Sequence, residues 1–204
     1  WSSDVCSSDL VMPGLLDFFL YCSYNPYWRA GNLGRSKLSA FLSSRLIDVM
    51  QGYRKHIVRR LDESGKFPVP ISIRSLANKA ESILSCGNSC GEGWFLTAEM
   101  IELIESGVPN IICAQPFACL PNHVTGKGMI KELRRQFPES NIVPIDYDPG
   151  ASEANQVNRI KLMISTAHLL HNKIHVNTDI CEDKESELTE LNQTKPRKIK
   201  EELC

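Results

Sequence analysis

From Ser36 to Leu61 the apolar positions Leu38, Leu42, Leu46, Val49, Tyr53, Ile57 and Leu61 recur every three or four residues. This is the stripe of a long amphipathic helix that packs on one face. Its other face is basic, with Arg54, Lys55, Arg59 and Arg60 near the end, where cations complement the helix dipole. Gly65, Pro68 and Pro70 then break the chain. Leu76, Ala80, Ile83 and Leu84 predict a second helix from Ser75 to Ser85, and Met100, Leu103 and Ile104 a third from about Thr97 to Ser106, capped by Gly107. The periodicity then changes. Val108 to Cys113 is a short β-branched run that fits a buried parallel strand, and Asn141 to Asp146 supplies a second. Between them lies a helix from about Gly128 to Phe137, ended by Pro138. A strand spacing of about 30 residues suits one right-handed βαβ crossover. Ser152 can cap a last helix carrying Val157, Ile160, Ile164 and Ala167 on one side.

The fold class expected is therefore α/β, rich in helix, with a small parallel sheet resembling half of a flavodoxin or Rossmann sheet near residues 108–167. The 204 residues divide on this reading into four parts. Residues 1–10, WSSDVCSSDL, have neither a basic start nor an apolar centre and resemble the translation of a sequencing adapter. They are read as non-native, joined to a truncated chain. Residues 11–70 form a helical segment of a truncated upstream domain, residues 71–171 an α/β domain, and residues 172–204 a charged, disordered tail. The net charge of −1 gives no electrostatic footprint for nucleic acid or an anionic membrane. No apolar run reaches membrane-spanning length; the densest, Val11 to Tyr21, is interrupted by Pro13, Gly14 and Asp17. Scattered cysteines without an export signal read as reduced thiols or metal ligands, in the cytoplasm.

Ligands of open α/β sheets bind beyond the carboxyl ends of the strands. Cys113 and Asp146 stand at those ends, and the segment from Cys113 through Cys119 to His123 gathers two thiols and an imidazole in one proline-fixed loop. Thiolates suit zinc and iron–sulfur clusters, and His also suits zinc. The spacing is that of no standard finger or ferredoxin, and cysteine is also a common buried residue, so both readings stand. Cys86 and Cys90 flank a glycine-rich turn; they either complete a four-thiolate site with Cys113 and Cys119 or are incidental to it. Gly126-Lys-Gly128 matches neither a P-loop nor a dinucleotide fingerprint. Asp146 to Gly150 reads as a turn, with Arg159 bridging to Asp146 or Asp148.

Three longer motifs, GEGWFLTAEM from Gly91, QPFACLPNHVTGKGMIKELRR from Gln115 and IVPIDYDPGASEANQVNRIKLM from Ile142, occur in order. Together with PGLLDFFLY and the basic helix, they resemble the C-terminal, dehydratase-like region of the acyl-CoA dehydratase activase-related proteins. These are homologues of the 2-hydroxyglutaryl-CoA dehydratase activator. The resemblance spans about Met12 to Ala167. It implies a cytoplasmic protein of anaerobic metabolism in which ATP hydrolysis, confined to upstream ATPase modules, drives an electron through a 4Fe-4S cluster to a dehydratase acting on a 2-hydroxyacyl-CoA. Partners would be the upstream ATPase and dehydratase-like domains of the same polypeptide, and acyl-CoA. The resemblance also implies that a cysteine following a strand ligates the cluster. Cys113 fits that placement best and Cys119 next, with the remaining ligands outside this chain. GNSCGEGW here stands where the family pattern reads GNQTGEGW, which sets Cys86 and Cys90 apart from it.

Two further expectations come from other classes. One is a non-catalytic docking domain whose cysteines are core residues and whose basic helix binds the ATPase modules. The other is a structural zinc site built from Cys90, Cys113, Cys119 and His123.

Overall fold

The structure is a computed structural model that describes residues 10–65, 69–148 and 150–170. The expected tail and most of the N-terminal decapeptide lie outside the described residues. The chain divides after Ile160 into two units. The second is described over residues 161–170, which are helical.

The first unit is helix-rich α/β. In chain order it comprises α1 (Leu15–Asn32), α2 (Lys37–Ser64), α3 (Ile73–Glu81), α4 (Trp94–Glu105), β1 (Asn110–Pro116), α5 (Ile130–Gln136) and β2 (Asn141–Tyr147), with helix resuming at residue 153. Ser36 begins α2 by accepting a hydrogen bond from the Ser39 amide, and Gly65 ends it in the left-handed conformation. Ser72 does the same for α3 through the Ser75 amide at 3.1 Å, so that helix starts two residues before its expected position. It stops at Glu81, and the amides of Ile83 and Leu84 fold back onto the Ala80 carbonyl.

The apolar run that begins at Val11 enters α1 and supplies the centre of the core. Tyr21 and Tyr24 meet Trp94 edge-on at 5.1 and 5.6 Å between ring centroids, while Tyr21 stacks on Phe95 at 5.2 Å. The buried indole N–H of Trp94 donates to Asn25 Oδ1 at 3.0 Å, so the largest core side chain leaves no donor unmet. Ile47 of α2 and Ile73, Leu76, Ala77 and Ala80 of α3 belong to the same cluster. Residues on both sides of the division expected at 70 thus share one core.

α2 departs from expectation in which face it buries. Leu38, Leu42, Leu46, Val49, Tyr53 and Ile57 are all at least half exposed, Tyr53 to 78%, and only Leu61 of the stripe is partly covered. The buried positions are Ile47 and Arg54. Arg54 was expected on a solvated basic turn; instead its guanidinium grips Asp17 of α1 through both nitrogens, at 2.5 and 2.9 Å, and reaches the Ile71 carbonyl at 3.4 Å. A bidentate arginine–carboxylate pair, with the arginine stem packed below it, fixes α1 on that side of the helix.

Glu99 of α4 lies beside this pair. Burial, then the negative charges of Asp17 and Glu92, push its carboxyl up to about 8. In the unfolded chain the same group titrates near 4.5, so between these values the folded state keeps a proton that the unfolded state has lost. Stability therefore falls as pH rises from 4.5 to 8 and levels off above that. Glu99→Gln is expected to flatten this slope and raise stability at pH 8.5 by about 2 kcal/mol, read as a higher urea midpoint at unchanged m.

β1 and β2 pair in parallel, Asn110 opposite Asn141 through Pro116 opposite Tyr147, and the two asparagine side chains bond at 2.9 Å at the lower edge. α4 and α5 cover one face, where Met100, Ile101, Ile104, Ile130 and Leu133 pack on Ile111, Cys113 and Ile142. β1 alternates strictly between exposed and buried, with Ile112 facing out, so it is a half-buried strand rather than the fully buried one expected. Among the described residues no helix is long and apolar enough to cross a membrane.

Candidate functional site

The carboxyl ends of β1 and β2 open into a cleft of about 410 Å³, within the size range of small-molecule sites. Gln115, Pro116 and Phe117 form one side, Asp146 and Asp148 the other, and His123 overlooks it. Ser152, Asn155, Gln156 and Arg159 close it from the helix that follows β2. The place is the one expected from the βαβ topology, because strand ends, loops and the start of a helix converge there.

The loop between β1 and α5 is irregular in a way that positions its side chains. Ala118 has a left-handed φ of 55°, and Asn122–Gly126 form a π-helical turn followed by a 3-10 turn, Lys127–Met129. The regular helix expected from Gly128 thus begins two residues later. The Thr97 hydroxyl of α4 donates to the Thr125 carbonyl at 2.6 Å in a buried bond, which supplies a partner inside the irregular turn. Lys127 pairs with Asp146, a residue of the cleft wall, at 3.5 Å.

The four sequence-derived ligand candidates fall in different surroundings. Cys113 lies on the buried side of β1, within the aliphatic cluster under the sheet; its sulfur accepts from Gln115 Nε2 at 3.0 Å. Burial pushes its thiol up, the Gln115 bond opposing. A β-carbon on Gly126 would stand 3.1 Å from that sulfur, so the loop backbone closes directly over it. Cys119 is half-buried on the loop, its sulfur accepting from Asn122 Nδ2 at 3.2 Å, and its carbonyl lies 2.8 Å from His123 Nδ1. Cys90 is exposed in the turn before α4. Cys86, its neighbour in sequence, is buried in the aromatic core and pushed up to about 12, first by burial and then by Glu81. Among the described residues no group of three or more His, Cys, Asp or Glu side chains is placed to hold a metal ion. The loop brings Cys119 and His123 together, but Cys90 does not join them in such a group.

Arg159 does not bridge to Asp146 or Asp148. Its Nη1 donates to the Pro144 carbonyl at 2.7 Å, and Gln156 Nε2 donates to the Asp146 carbonyl at 2.9 Å. Both satisfy backbone of β2. Sequence patterning does not single out Gln115, Phe117, Asn155 or Gln156, although Gln115 is only 1% exposed, lines the cleft and carries a buried Oε1 without a hydrogen-bond partner among the described residues. The alternation of β1 identifies it: residues 111, 113 and 115 share the covered face. No protein-family model, curated protein or solved structure matches the chain.

Proposed function

We propose that this chain is the C-terminal α/β region of an iron–sulfur, electron-transferring acyl-CoA dehydratase activase-like protein of anaerobic cytoplasm, and that Cys119 is its contribution to a 4Fe-4S cluster. The chain alone is not a catalyst on this reading. ATP is used by upstream modules, the other thiolates come from dehydratase-like domains, and acyl-CoA meets the assembled site. The three ordered motifs motivate the family. One observation carries the residue: Cys119 is the partly exposed thiol on the loop that leaves the carboxyl edge of β1, beside a cleft overlooked by His123. A thiolate needs access and polar surroundings to ligate, and Cys119 has an amide donor on its sulfur. Cys113 sits one layer deeper, and serving the same cluster would require the loop over Gly126 to lift.

The docking reading gains support from Cys86 and Cys113, both packed among apolar groups as core cysteines are. Anaerobic reconstitution of the protein together with its ATPase and dehydratase-like domains separates the two. Cys119→Ser is expected to lower cluster content roughly tenfold, by electron paramagnetic resonance and iron analysis, with Cys113→Ser nearly unchanged. Full cluster content in Cys119→Ser and in the Cys113→Ser, Cys119→Ser pair would leave the docking role. Stoichiometric zinc in aerobically purified protein would favour the structural-zinc reading instead.

A further inference from the structure

The exposed stripe of α2 has a symmetry that selects its partner. Leu38, Leu42, Leu46, Val49, Tyr53 and Ile57 are separated by 4, 4, 3, 4 and 4 residues, a spacing that reads the same in both directions. At 100° per residue they fall within a sector of roughly 100°, forming one straight seam about 28 Å long. A 4-4-3 step repeats every 11 residues and so winds little, which suits two helices lying nearly straight along each other. Each of the six is at least half exposed, and with Phe41 beside them they present on the order of 800 Å². That is about what one partner contributes to a standard stable interface, and more than the roughly 300–600 Å² of a monomer's largest apolar patch.

We propose that α2 is a self-association surface, and that two copies of this chain pair through it antiparallel about a two-fold axis between Leu46 and Val49. The palindromic spacing then sets Leu38 of one copy opposite Ile57 of the other, Leu42 opposite Tyr53, and Leu46 opposite Val49. Every apolar position meets an apolar position, as an isologous interface requires. A parallel pair would need no such symmetry, because each position would then meet its own copy at the same level; a spacing that reads the same in both directions is what antiparallel pairing requires. At the end of the seam, His56, Ile57, Arg60 and Leu61 border an open, apolar depression, and the register delivers the exposed Leu38 of the second copy to it. Arg54 and Ile47 face α1 and take no part.

Sedimentation equilibrium of the full 204-residue chain at about 100 µM, roughly a hundredfold above a micromolar dissociation constant, tests this. A mass near twice 22.9 kDa is expected. Leu46→Lys should return it to one chain mass with an unchanged circular dichroism spectrum, since that position is already half exposed. Leu120→Lys, at an exposed position elsewhere, should remain dimeric. Combining Leu46→Lys with Val49→Glu should restore the dimer, because in the antiparallel register each lysine faces the other copy's glutamate; a parallel pair would stay apart. A monomeric wild-type chain, or a dimer indifferent to Leu46→Lys, would overturn the proposal, and a monomeric double variant would overturn the antiparallel register.

Discussion

Gly93→Ala is expected to abolish cooperative folding or to cost at least about 4 kcal/mol, against a typical total of about 5–15 kcal/mol. Gly93 has φ 46° and ψ −133°, a conformation that side-chain-bearing residues avoid. A β-carbon there would stand 2.0 Å from the Asn88 carbonyl oxygen and 2.8 Å from the Tyr21 hydroxyl. Neither neighbour is free to yield. The Asn88 carbonyl accepts from the Trp94 amide at 2.7 Å, and Tyr21 donates to the Gly91 carbonyl at 2.8 Å. The turn therefore folds back on itself to start α4 and seat Trp94, and the substitution would displace the centre of the aromatic core. Urea unfolding followed by near-ultraviolet circular dichroism would read this directly. Gly52→Ala is the internal control. It lies within α2 with nothing near its missing β-carbon and should stabilise by about 0.5–1 kcal/mol.

Arg54→Met is expected to destabilise by about 3–5 kcal/mol, because it strands the Asp17 carboxylate in the place where α1 meets α2. Asp17 is already pushed up by burial, with Arg54 holding it down. Without the guanidinium, folding above the carboxyl's ordinary value near 3.8 must either protonate Asp17 or bury its bare charge. The deficit should therefore be largest at neutral pH and shrink as pH falls towards 4. Adding Asp17→Asn to Arg54→Met should recover more than half of the loss, since no charge is then left unpaired. A double-mutant cycle from urea midpoints measures that coupling. If Arg54→Met cost less than about 1 kcal/mol, the pair would be no more than a surface bridge.

Local signals and long-range ones differ in how far the sequence reveals them. The β-branched runs around Ile111 and Ile142 mark their strands within a few residues because a short apolar run and a helix-length spacer are written in neighbouring positions. The caps at Ser36 and Gly65 are equally local. Which side of α2 is buried is not: it depends on Asp17, 37 residues away, finding Arg54. Periodicity showed a stripe and could not say whether this chain covers it. The same limit applies at the site. Proximity in sequence brings Cys119 and His123 together, whereas the depth of Cys113 follows from the phase of β1 and from Gly126 closing over it. Gln115 was hidden because a polar residue in a strand reads as surface, while here it ends the covered row.

The π-helical turn at Asn122–Gly126 adds a final consequence. A carbonyl in such a turn would normally seek water, but Thr125 is held by Thr97 of α4, and Pro121 accepts from the Thr125 hydroxyl at 2.8 Å. The loop that carries Cys119 and His123 is thereby bolted to the core helix. An incoming ligand meets side chains whose backbone is already ordered, and it forfeits little conformational entropy in arranging them.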